Sequence, residues 1–128
     1  LHSLDRRQRQ MCIRDSKPRN DLNKKYWTMS YPTNALIPMA KLVREVNKKD
    51  YSTVKKPALF YFSMEDEVVD PDKIKEFINN WGGDRTTKIV KLSNQDDKFS
   101  HVLAGDIISP NQTEYAKNTM VNWIKNLR

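Results

Sequence analysis

The chain has 128 residues, of which 38% are hydrophobic and 30% charged, and its 23 Lys and Arg outweigh 16 Asp and Glu for a net charge of +7. That length suffices for one domain with a real core, and no run of about 18 apolar residues offers a transmembrane span. One cysteine, Cys12, excludes an internal disulfide. Lys24, Lys25, Lys48, Lys49, Lys55 and Lys56 are interspersed with acids, whereas a nucleic-acid face needs a clustered basic stripe.

Residues 1–16 have no hydrophobic period at 2 or 3.6 and carry four Arg and two Asp, which leaves +5 on residues 17–128. The stretch Arg6-Arg7-Gln8-Arg9-Gln10-Met11-Cys12-Ile13-Arg14-Asp15-Ser16 resembles a translated sequencing-adapter read of the kind left at the ends of environmental assemblies. A natural disordered basic arm is the other reading. Either way residues 1–16 are set apart from the fold as a non-native or disordered tail. Residue 1 is Leu rather than Met and no apolar leader is visible, so the compartment stays open, with the cytoplasm slightly favoured.

Residues 17–50 read as loop and helix. Lys17 to Tyr31 is polar and aperiodic and predicts a loop, with Trp27 and Tyr31 expected under cover. Leu36, Met39, Ala40, Val43 and Val46 form one helical face. Thr33 or Asn34 is placed to cap it, and Pro38 requires a start near Leu36, because proline is tolerated only in a first turn.

Residues 51–128 alternate strand and helix. Ala58 to Phe62 is five consecutive nonpolar residues, the habit of a strand buried on both faces. Asp70-Pro71 predicts an N-cap and first helical residue, followed by Ile74, Phe77, Ile78 and Trp81 at helical spacing and a Gly82-Gly83 stop. Thr87 to Leu92 predicts a second strand. Asn94 to Ser100 reads as a polar loop. In the last helix Asn111 and Glu114 suggest a capping box, and Ala116, Met120, Trp123, Ile124 and Leu127 a buried face. This order predicts an α/β fold with two parallel strands, flanking helices and an incomplete sheet.

Two residues carry chemistry. Glu65, Asp66, Glu67, Asp70 and Asp72 crowd the end of the first strand, but Asp70 is spent as a cap and Asp72 favours the helix N-terminus. Asp66 has no such structural use and sits where open α/β sheets place functional groups. His101, in Phe99-Ser100-His101-Val102-Leu103-Ala104-Gly105-Asp106, follows the second strand. An imidazole that exchanges protons near neutral pH and a carboxylate that holds its tautomer are the last two members of a Ser-Asp-His triad, in chain order.

Residues 31–128 resemble the C-terminal part of an α/β-hydrolase of the bacterial lysophospholipase and monoacylglycerol-lipase-like kind. The resemblance lies in Thr33-Asn34-Ala35-Leu36-Ile37-Pro38-Met39, in Pro57 to Val69, and in His101-Val102-Leu103-Ala104-Gly105-Asp106-Ile107-Ile108-Ser109-Pro110. It implies that Asp66 is the triad acid and His101 the triad base of a serine hydrolase cleaving carboxylic esters, acting on a small ester or lipid-like molecule without cofactor or metal. It also implies that residues 51–128 belong to the catalytic domain, and it leaves the Trp27–Val46 segment open between a cap and plain packing on the sheet.

Ser63 departs from the glycine common in that family's acid loop. A larger departure is absence: residues 17–128 hold only Gly82, Gly83 and Gly105, none of them flanking a serine as Gly-x-Ser-x-Gly. Ser63 and Ser100 are not candidates for the nucleophile. The chain is therefore expected to be a fragment, cut upstream of Lys17 and inactive alone. A small non-catalytic α/β binding module is the rival reading, and a relative with an aspartate or cysteine nucleophile a second.

Overall fold

The computed structural model describes residues 17–30 and 32–127. The expectations for residues 1–16 and for Tyr31 lie outside them. Contacts divide the chain between Lys49 and Asp50, and each side is a unit of its own.

In the first unit the polar stretch expected as loop contains a short helix, α1 (Asp21–Tyr26). The reason is capping rather than hydrophobic period. The Asn20 side chain accepts from the Asn23 amide at 2.7 Å, and Asp21 in the first turn and Lys24 and Lys25 in the last suit the helix dipole. Asn23 is buried and its Oδ1 accepts from the Arg19 amide at 3.2 Å. Trp27, expected under cover, is 46% exposed.

Helix α2 (Leu36–Asn47) begins where Pro38 requires, with the proline in its first turn. The N-cap position falls on neither Thr33 nor Asn34. A 3₁₀ turn, Thr33–Ala35, leads in, and Ala35 occupies the cap position with no side-chain bond. No residue of α2 is buried, and Met39, Leu42, Val43 and Val46 along its apolar face stand exposed.

The second unit is built on β1 (Ala58–Phe62) and β2 (Arg85–Ile89), parallel and in register from Ala58 opposite Arg85 to Phe62 opposite Ile89. The sheet has these two strands only, among the described residues. The second strand starts and ends earlier than the apolar run Ile89, Val90 and Leu92 suggests. Parallel pairing with Ala58 draws Arg85 and Thr86 into the ladder, and the Val90 amide closes it on the Phe62 carbonyl at 2.9 Å.

The connection is α3 (Pro71–Asn79), with Asp70 capping through the Asp72 amide at 2.9 Å and Pro71 as first residue, as expected. Its last carbonyls, Ile78 and Asn79, accept from the Arg85 guanidinium at 3.0 and 3.1 Å. Phe77 and Trp81 meet Phe60 of β1 at centroid distances of 6.1 and 5.8 Å, and Tyr51 meets Phe77 at 4.6 Å. Helix α3 therefore covers the sheet face of Ala58, Phe60 and Phe62.

Helix α4 (Thr113–Lys125) covers the opposite face, because alternate strand residues point opposite ways. Trp123 Nε1 donates to Thr86 Oγ1 at 3.1 Å, and Lys88 Nζ lies 5.3 Å from the Tyr115 ring centroid. The result is helix, sheet, helix in three layers.

The capping box is absent. A 3₁₀ turn, Pro110–Gln112, precedes α4, Glu114 pairs with Lys117 along the helix, and the Asn111 amide is taken by Asp96 Oδ1 at 3.2 Å. Of the face expected to be buried only Ala116 is buried; Trp123 is half-buried, and Met120, Ile124 and Leu127 are exposed. Strand β1 is half-buried along Ala58–Tyr61 and buried only at Phe62, so neither of its faces is fully covered. A two-stranded sheet lacks neighbours to complete those layers.

Candidate functional site: an Asp–His pair at the strand ends

Both candidate residues lie on loops that leave the C-terminal ends of the two parallel strands. After Phe62 the chain turns at Ser63, which is fully buried and whose Oγ accepts from the Glu65 amide at 3.1 Å. That turn brings Asp66 back over the sheet end. Asp66 Oδ1 accepts from the Val68 and Val69 amides at 2.8 and 2.9 Å, a carboxylate-closed turn of the kind aspartate forms with its own backbone.

Asp66 Oδ2 lies 3.0 Å from His101 Nδ1. The acid's side chain is 6% exposed and the imidazole 41% exposed. A second link runs through the backbone, where the Glu67 amide donates to the Phe99 carbonyl at 2.9 Å. Two loops 35 residues apart are thus joined by main chain and side chain together.

Charge and tautomer follow from these contacts. Burial alone pushes the Asp66 carboxyl up, but the Val69 amide, the His101 ring and the Val68 amide together outweigh it and hold the pKa below its ordinary value of 3.8. An ionised carboxylate only accepts hydrogen bonds, so Nδ1 carries a proton, and in the neutral imidazole Nε2 then presents its lone pair. Nε2 makes no hydrogen bond among the described residues. The arrangement orients the imidazole with Nε2 unengaged among the described residues.

The sign for stability is fixed by that lowered value. A carboxylate whose folded pKa lies below its unfolded one stabilises the fold above the unfolded value, and the contribution disappears as pH falls through the folded one. Asp66→Asn should flatten the acid limb. Between about pH 5 and pH 3 the urea midpoint of the wild type is expected to fall further than that of the variant. Parallel loss in the two proteins would show that Asp66 is not a source of acid lability.

Three of the four remaining acids of the loop are accounted for locally. Glu65 pairs with Lys91 at 2.9 Å, Asp70 caps α3, and Asp72 pairs with Lys75 at 3.1 Å. No group of three His, Cys, Asp or Glu is placed to hold a metal ion among the described residues. Ser63 and Ser100 are buried, and the Ser63 hydroxyl is engaged in its own turn.

Sequence reasoning missed Asp97, which lies in the stretch read as polar loop. It is 2% exposed and inside the histidine loop. Its Oδ1 accepts from the Phe99 amide at 3.1 Å, and its Oδ2 from the His101 and Val102 amides at 3.1 and 2.7 Å. The available signal was an acid four residues before a loop histidine, a spacing from which a short side chain closes the turn.

Comparison with known proteins gives no match, whether to a family model, a curated protein or a solved structure.

Proposed function

We propose that Asp66 and His101 are the acid and base of a serine hydrolase acting on carboxylic esters, with the nucleophile supplied from outside this chain. The observation that supports this is the 3.0 Å contact between Asp66 Oδ2 and His101 Nδ1, formed by loops at the C-terminal ends of adjacent parallel strands. In the reaction a serine hydroxyl attacks the ester carbonyl and Nε2 takes its proton. Nε2 then gives that proton to the departing alcohol, and water, activated by the same nitrogen, releases the acid. Asp66 keeps Nδ1 protonated and stabilises the imidazolium.

The resemblance to lysophospholipase-like α/β-hydrolases adds an acyl ester of modest size as substrate class. The chain's three glycines include no pair around a serine, so the nucleophile turn is not among its residues and the chain by itself is expected to be inactive.

The test is to read the coding DNA in frame upstream of the Lys17 codon, express the joined protein, and assay p-nitrophenyl esters and lysophospholipid. A Gly-x-Ser-x-Gly turn and hydrolysis abolished by replacing its serine are expected. A natural start directly ahead of Leu1, with no such turn, would overturn the assignment and leave a non-catalytic α/β binding module.

A further inference from the structure

We propose that Asp97 is the positioning residue of His101, acting on the loop backbone while Asp66 acts on the ring. The claim rests on the reading of His101 as the base. Ser100, directly before the histidine, has φ 51, in the left-handed region that a residue with a side chain enters only when its surroundings impose it. The surroundings here are Asp97. Its carbonyl accepts from the Ser100 amide at 2.9 Å, and its carboxylate gathers the amides of Phe99, His101 and Val102, on both sides of the strained residue.

The backbone that carries the carboxylate is itself fixed. The Asp97 amide donates to Ser109 Oγ at 3.0 Å, and that hydroxyl donates to the Val102 carbonyl, with Ser109 fully buried. The Phe99 carbonyl, on the same turn, receives the Glu67 amide from the acid loop. One buried anion therefore sets the conformation of Ser100, the direction of the His101 Cα–Cβ bond and the approach of the two loops. Its three amide contacts require an acceptor at both oxygens. Asparagine offers one acceptor and one donor, so Asp97→Asn sets a donor against at least one amide.

Diethyl pyrocarbonate labelling of the full chain at low-micromolar concentration, read by peptide mass spectrometry, reports how freely each histidine's unprotonated nitrogen attacks. His2 and His101 are the two histidines, and their rate ratio cancels reagent loss. Asp97→Asn should lower the His101-to-His2 ratio about three- to tenfold. In an Asp66→Asn background, where the ring is no longer held with its proton on Nδ1, the same substitution should change it by less than about twofold.

Equal factors in the two backgrounds, or no change in the first, would overturn the proposal, since a merely structural residue acts independently of Asp66. Should circular dichroism show Asp97→Asn unfolded, Ser109→Ala, which removes the acceptor of the Asp97 amide, must show the same dependence on background, and equal factors there overturn it too. The outcomes separate from those of the hydrolase reading. Ester hydrolysis by the joined protein that survives His101→Ala removes the catalytic role and leaves the labelling cycle standing, whereas equal factors beside a His101-dependent activity remove Asp97 alone.

Discussion

His101→Ala, in the protein that carries its nucleophile, is expected to lower kcat by about 10⁴- to 10⁶-fold with little change in KM. The side chain is 41% exposed and its one hydrogen bond among the described residues is to Asp66, so its removal leaves the loop frame in place. On the proposed mechanism what is lost is the proton acceptor for the serine and the proton donor for the leaving alcohol, both needed only as the transition state forms. Asp66→Asn should cost about 10⁴-fold by a different route. Its amide donates where the carboxylate accepted, which turns the proton from Nδ1 to Nε2 and leaves the serine facing a donor. The two substitutions act on one unit, so the double variant should be no slower than His101→Ala alone. Residual kcat above about a tenth of wild type in His101→Ala would remove the triad assignment.

The parts of this structure legible in the sequence were those governed by local rules. Asp70-Pro71 starts a helix because the carboxylate and the ring each suit one position, and no distant residue is needed to decide it. Pro38 fixes the start of α2 in the same way. The Asp66–His101 pair was legible because residue type, order and position after a strand narrow the chemistry, and the structure brings the two to 3.0 Å. The hydrolase assignment itself rests on resemblance and on that geometry.

Less legible were features set by long-range pairing. Arg85 and Thr86 precede the strand expected from Thr87 but enter β2 because β1 lies beside them. Asn111 looked like a cap, yet its amide is taken by Asp96 from a loop 15 residues away, and the helix begins later at Thr113. The Asp97 network also depends on Ser109, 12 residues on. Helix faces at Met120, Ile124 and Leu127 have the right period but stand exposed, since periodicity shows which side a helix would bury and not whether a partner is present.

The glycines after α3 have a stronger role than ending a helix, and Gly82→Ala is expected to be the most destabilising of the small substitutions. Neither Gly82 nor Gly83 needs a left-handed backbone; Gly105, at φ 116, does. The segment from Tyr51 to Lys56 lies directly against the pair instead. A Cβ on Gly82 would stand 1.7 Å from the Ser52 carbonyl oxygen and 2.9 Å from that of Val54, and one on Gly83 2.3 Å from that of Lys56. These are backbone atoms, so no rotamer change relieves the clash and the segment must lift. Lifting it breaks the Gly82 amide bond to the Tyr51 carbonyl and the Trp81 indole bond to the Lys56 carbonyl, at 3.0 and 2.9 Å. It also withdraws Tyr51 from Phe77 and Trp81. Overpacking together with loss of aromatic contacts puts the cost on the order of 3 kcal/mol. Gly105→Ala has open space around its Cβ but forces a residue with a side chain to hold φ 116, a backbone strain of about 1 to 2 kcal/mol. Urea midpoints of the two variants should therefore rank Gly82→Ala well below Gly105→Ala. The reverse order would mean that the Tyr51–Lys56 segment does not pack against α3 in solution.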